Sequence, residues 1–178
     1  VMGNSLRRPE AIGSRGMVAS GHPTATLIGV NVLQRGGNAV DAAIAVAAAE
    51  GVLLPMMCGL GGDAFGIVWD ARRREVVGFN GSGVAAAGAT REYYTDLGMT
   101  RMPSDGVHSV SVPGAVSVYE SMWKRYGTQP WADLWAPAVQ LAEEGVAISE
   151  YVSRRFAEQS ELLRRHEHSA AQFLVNSC

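Results

Sequence analysis

The sequence predicts an α/β fold, α+β in finer terms, in which a sheet hairpin is backed by helices and followed by a helical C-terminal part. Three observations carry that reading. From Ala39 to Ala49 only Asp41 is polar and seven residues are alanine, the pattern of a helix buried on all sides. The glycine-rich loop Cys58–Asp63 runs directly into Phe65–Trp69, and Glu75–Phe79 returns after an arginine-rich turn, so the two runs form a hairpin. From Gly114 onward, helix start and stop signals follow one another towards His166.

Taken in order, residues 1–15 are polar and aperiodic and read as an extended lead-in, and Gly16–Ser20 reads as a short strand. His22-Pro23 opens a helix, with Pro23 at its first position and Gly36-Gly37 ending it. His22 is read as a helix-start residue bonding nearby backbone, with a site role at the junction as the other reading. Asn38 is an N-cap for the alanine-rich helix, and Asp41 stands three residues later, where a carboxylate meets free amides. Gly51 is expected to end that helix, and Pro55 prevents it resuming. The helix is too short for a membrane span, and Asp41 and Glu50 punctuate it.

Phe65–Trp69 is expected to be a buried strand, and Arg72-Arg73-Arg74 to decorate the hairpin turn. The far end of a regular hairpin, Asn80-Gly81-Ser82-Gly83, then emerges level with the Gly59–Asp63 loop. Two polar glycine loops at one end of a sheet make a candidate pocket floor, although a plain tight turn explains the first of them equally well. Thr90 caps a helix over residues 91–97, and residues 98–109 form a surface loop with an exposed His108. Helices follow over 115–126 and 131–144, and a last one runs from the Ser149 cap towards His166. Trp123, Tyr126, Trp131 and Trp135 pack between these helices. His166 and His168, two apart, point to different faces of a helix and make a poor metal pair.

Composition narrows the functions. The net charge of -2 offers no general attraction for nucleic acid or an anionic membrane. Two cysteines, Cys58 and Cys178, are too few for a disulfide framework and lack metal-ligand spacing, so no metal or organic cofactor is implied. No apolar run follows Arg7-Arg8, which leans towards the cytoplasm while leaving a periplasmic or secreted protein open. A nucleotide loop is rejected, because Gly59-Leu60-Gly61-Gly62 precedes a strand, whereas phosphate-binding loops open a helix. Two or three strands rarely stand alone in water, so the chain reads as part of a larger structure.

Several segments together resemble the gamma-glutamyltranspeptidase family: Arg15–Ser20 with His22-Pro23, Gly36–Ala43, Gly59–Phe65, Val112–Gly114, Arg125–Thr128 and Leu141–Gly145. The resemblance covers the chain from about Arg15 into the final helix. It implies part of an αββα N-terminal-nucleophile hydrolase sandwich, with residues 16–178 forming the N-terminal part of a large subunit that is incomplete without the rest of its precursor. It implies a partner, the small subunit cut from the same precursor, whose first residue is the threonine nucleophile, and a small-molecule amide substrate such as a γ-glutamyl peptide. Thr24, Thr26, Thr90, Thr95, Thr100 and Thr128 all sit in unsuitable contexts, so no catalytic residue is assigned within this chain, and alone it is expected to be inactive.

The candidate substrate-binding residues are Gly61, Gly62, Asp63, Asn80 and Ser82. Two of them depart from the transpeptidase pattern. Ser82 stands where the resemblance implies an arginine gripping a carboxylate, and Asp63 stands where it implies glycine. Both changes fit better with relatives that cleave other amides, of oxamate or cephalosporin type, unless Arg91 or Arg101 supplies the missing charge. A family member that has lost catalysis and acts as a binding or structural protein is the reading of another class.

Overall fold

The structure is a computed structural model and describes residues 10–174. Two helices come first, α1 (Pro23–Gln34) and α2 (Ala39–Leu53). A two-stranded antiparallel sheet follows, β1 (Ala64–Asp70) and β2 (Glu75–Gly81), in a register that pairs Ala64 with Gly81 and Asp70 with Glu75. The short α3 (Arg91–Asp96) and a 3₁₀ turn over Val107–Ser109 lead to α4 (Ala115–Tyr126) and α5 (Trp131–Glu144). Three short helices complete the chain, α6 (Glu150–Glu158), α7 (Ser160–Arg164) and α8 (Glu167–Phe173).

The alanine-rich α2 is the centre of the molecule. Asn38 Oδ1 accepts from the amides of Val40 and Asp41, and Asp41 Oδ2 accepts from the Asn38 amide, a reciprocal capping box. Ala45, Ala48 and Ala49 are buried and let neighbouring elements close on the helix. On one side Val46, Ala49 and Leu53 pack with Ala25 of α1 and Val152 of α6. On the other, Val40, Ile44 and Ala45 pack with Val118 and Met122 of α4 and Leu134 of α5. Trp123, Tyr126, Trp131 and Trp135 line this second cluster, and Trp131 bridges Trp123 and Trp135 at ring separations of 5.5 and 5.3 Å.

Asp41 does more than cap. It is fully buried, and its carboxylate also accepts from the Thr128 amide (3.0 Å), the Thr128 hydroxyl and, more weakly, the Gln129 amide (3.4 Å). With Asn38 Nδ2 donating to the Tyr126 carbonyl (2.6 Å), the start of α2 is stitched to the α4–α5 connection.

Four expectations need correction. Gly16–Ser20 forms no strand and has no partner strand among the described residues; Val18 instead packs beside Gly29 of α1. Gly51 does not end α2, which runs on to Leu53 because Leu53 and Leu54 are buried, and that burial outweighs a glycine cost of about 1 kcal/mol. The final helix is broken at Gln159 and again at His166, so that Phe173 folds back to stack on Phe156 at 5.4 Å. β1 is not a buried strand: Phe65, Ile67 and Trp69 are 70, 82 and 60% exposed. The helices cover one sheet face only, through Ala64, Val68 and Phe79, and leave the other face bare. The lead-in over residues 10–15 has no regular structure and is exposed; its residues 1–9, like Cys178, lie outside the described residues.

The other end signals match the chain's behaviour. His22 Nδ1 accepts from the Thr24 amide (3.2 Å), the backbone-bonding reading of that residue. Thr90 and Ser149 cap α3 and α6, and Gly127 and Gly145 follow the ends of α4 and α5. Asp70 Oδ1 accepts from the amides of Arg72 and Arg73, which places the arginine triplet on the hairpin turn.

Candidate active site

The glycine loop ends where β1 begins, and the antiparallel register brings the end of β2 beside it. Position 64 faces position 81, so Gly61, Gly62 and Asp63 lie next to Ser82 and Gly83. A third segment, Ser111–Gly114, closes the group. The Gly62 carbonyl accepts from the amides of Gly114 (3.1 Å) and Ala115 (3.0 Å), a contact that also supplies an acceptor at the start of α4. Asp63 Oδ1 accepts from the Gly83 amide (2.8 Å) and the Ser111 hydroxyl (3.0 Å), and the Val112 amide donates to the Val84 carbonyl (3.0 Å).

The close approach explains a glycine. A Cβ on Gly83 would fall 1.7 Å from the Val112 carbonyl oxygen, inside any allowed contact. Asn80 Oδ1 accepts from the Ser82 amide (2.9 Å), a local turn that directs the chain out of β2. Gly61, Gly62, Asp63, Asn80 and Ser82 are all exposed and gathered at one end of the hairpin. Asp63 therefore has a definite bonding role there, as the tie between the 80–83 and 111–114 segments. Sequence reasoning missed Ser111 and Gly114 as members of this group, although the Val112-Pro113-Gly114 segment carried the signal.

Other chemistry-bearing residues stand apart. His108 is half-buried and not simply exposed; its ring lies 5.8 Å from Tyr94 and 5.9 Å from Tyr93. At the start of the glycine loop, burial and the nearby Glu50 carboxylate push the Cys58 thiol above its ordinary pKa, and burial does the same to the Tyr119 phenol. A thiol held in its protonated form is a weak nucleophile. Arg91 and Arg101 are exposed. No group of three His, Cys, Asp or Glu side chains that could hold a metal occurs among the described residues, and no described helix is long and apolar enough to cross a membrane.

This three-segment end joins parts of the chain that are far apart in sequence. Residues 25–177 match the family model described as gamma-glutamyltranspeptidase. The chain belongs to the gamma-glutamyltranspeptidase family. It is 36% identical over 158 residues to the glutathione hydrolase proenzyme of Bacillus subtilis, covering 86% of this chain and 27% of that protein. It is 38% identical over 179 residues to the acylase ACY 1 proenzyme of Pseudomonas sp. (strain SE83), covering 96% of this chain and 32% of that one. The crystal structure of Helicobacter pylori gamma-glutamyltranspeptidase superposes with a TM-score of 0.88 at 33% identity, over 94% of this chain and 49% of that chain. The chain thus spans about a third or less of the curated relatives' length, and it carries part of the gamma-glutamyltranspeptidase fold: the hairpin and the helices against one of its faces.

Proposed function

We propose that this chain is the N-terminal part of the large subunit of an amide hydrolase or acyl transferase, and that its loops Gly59–Asp63 and Asn80–Gly83 form part of the substrate pocket. Residues 16–178 act as scaffold. The nucleophile, an N-terminal threonine, comes from a small subunit made by cleavage of the same precursor. Its α-amino group takes the hydroxyl proton as the oxygen attacks the amide carbonyl, the amine leaves, and the acyl-enzyme passes its acyl group to water or to an acceptor amine. The observation that supports this reading is the family membership, together with the meeting of three glycine-bearing segments at the exposed end of the hairpin.

Ser82 favours a second reading within the same chemistry. A γ-glutamyl substrate carries an α-carboxylate, and a serine hydroxyl cannot grip it with a bidentate cationic fork. Each charge-assisted hydrogen bond lost costs roughly 1.5–3 kcal/mol, about ten- to a hundredfold in affinity. The carboxylate of Asp63 at the same end adds negative charge. An amide with no γ-glutamyl head, of cephalosporin type, fits this end better; one of oxamate type, which carries its own carboxylate, fits only with a cation supplied from elsewhere, such as Arg91 or Arg101.

The test is turnover by the full-length precursor after maturation, with γ-glutamyl 4-nitroanilide, oxamate and a cephalosporin amide compared at equal concentration. Preference for a non-γ-glutamyl amide supports the second reading; preference for the anilide supports a glutathione-type hydrolase. A precursor that stays uncut and fails on all three moves the protein to the non-catalytic, binding class.

A further inference from the structure

A groove of about 780 Å³ opens beside this end of the hairpin, between residues 83–89, α3 and residues 102–111. That volume is in the range of small-molecule sites. Its lining is apolar and aromatic: Tyr93, Tyr94, Met102, Val107, His108 and Val110 contribute, and no Asp, Glu, Lys or Arg side chain lines it. Tyr94 meets His108 edge-on, at an interplanar angle of 87°, and Tyr93 meets Tyr94 at 73°. The three rings thereby form a continuous aromatic wall.

The groove is continuous with the candidate site. Gly83 and Ser111 both line it, and they are the two groups that Asp63 Oδ1 holds. The Val112–Val84 hydrogen bond fixes the spacing of its two walls. A ligand group reaching past Ser82 therefore enters a space lined by no carboxylate, ammonium or guanidinium side chain.

We propose that this groove is the acyl-group subsite, and that the substrate class is amides of an uncharged aromatic or apolar carboxylic acid. The inference rests on the hydrolase reading of the candidate site. A planar acyl group fits against Tyr94 and His108 by edge-to-face contact, with Met102 and Val107 as apolar contacts at the rim. A γ-glutamyl head would find no lysine or arginine there to pair its α-carboxylate and no aspartate or glutamate to pair its α-ammonium group. The aromatic wall and the missing charge at Ser82 thus point to the same substrate.

The experiment uses the matured full-length protein and three 4-nitroanilides that share a leaving group, with acetyl, phenylacetyl and γ-glutamyl as acyl groups. The expected kcat/KM for phenylacetyl exceeds that for acetyl by about tenfold or more. Tyr94→Ala lowers the phenylacetyl-to-acetyl ratio about tenfold. Val107→Glu, at a position 80% exposed on the rim, lowers it too without disturbing a core. A cleaved, active enzyme with equal rates for acetyl and phenylacetyl, or with a ratio indifferent to both substitutions, overturns the subsite and leaves the hydrolase reading standing. An uncleaved precursor inert to all three amides overturns the hydrolase reading. In that case phenylacetate titrated onto the same protein decides the groove: binding weakened by Tyr94→Ala supports it, and no binding overturns it.

Discussion

Asp41 shows how one buried carboxylate can hold two distant segments. Its oxygens accept from Asn38, Thr128 and Gln129, and the Gly36–Ala43 and Arg125–Thr128 segments are partners for that reason. Replacing Asp41 by alanine leaves those buried donors unmet, so Asp41→Ala should cost about 3 kcal/mol or more, read as a lower denaturation midpoint of the precursor. Thr128→Val should cost about 1 kcal/mol, since it removes one hydroxyl donor. Ser82 is the matching residue for function. Placing a guanidinium there should raise turnover of a γ-glutamyl anilide by about tenfold or more over the unaltered enzyme, and Ser82→Arg kinetics check this. An unchanged or lower rate would show that position 82 does not face the substrate carboxylate. The cap at Asn38 and the role of Asp41 within its helix were legible from spacing alone. Its bonds to Thr128 were not, because 87 residues separate the two and no local pattern records the pairing.

At the scale of elements, the close contact of α1 with α2 depends on small side chains. A Cβ at Gly29 would meet Val46 Cγ2 at 2.7 Å and Val18 Cγ1 at 2.9 Å. Gly29→Val overfills that contact and should cost about 1–3 kcal/mol in precursor stability, measured by thermal unfolding. Helix starts were legible wherever a cap or proline marked them, as at Pro23, Asn38, Thr90 and Ser149. The breaks at Gln159 and His166 were not, because neither glycine nor proline stands there and the contact that accompanies them, Phe173 stacked on Phe156, is tertiary. Gly51 misled for the complementary reason: a local stop signal yielded to the burial of Leu53 and Leu54. For the candidate site, hairpin regularity was enough to bring Ser82 level with Asp63. The third segment, Ser111–Gly114, arrives by a long excursion through α3, whose path is set by tertiary contacts.

Across the whole molecule, helices cover one sheet face, and Phe65, Ile67, Trp69 and Val76 stand exposed on the other. A contiguous apolar face of this kind marks an interaction surface. On the proposed large-subunit reading, the part that covers it is the remainder of the precursor. Ile67→Asp should then abolish soluble full-length precursor, whereas a face open to solvent would tolerate the change; yield in the soluble fraction decides between them. The alternating exposure of β1 could not be read from Phe65-Gly66-Ile67-Val68-Trp69, where apolar residues occupy the covered and the bare face alike. The most direct test of the central claim, that this chain belongs to a self-cleaving amide hydrolase, is N-terminal sequencing of the full-length precursor after a denaturing gel. Two fragments, the smaller beginning with threonine, are the predicted result; a single uncut polypeptide would contradict it.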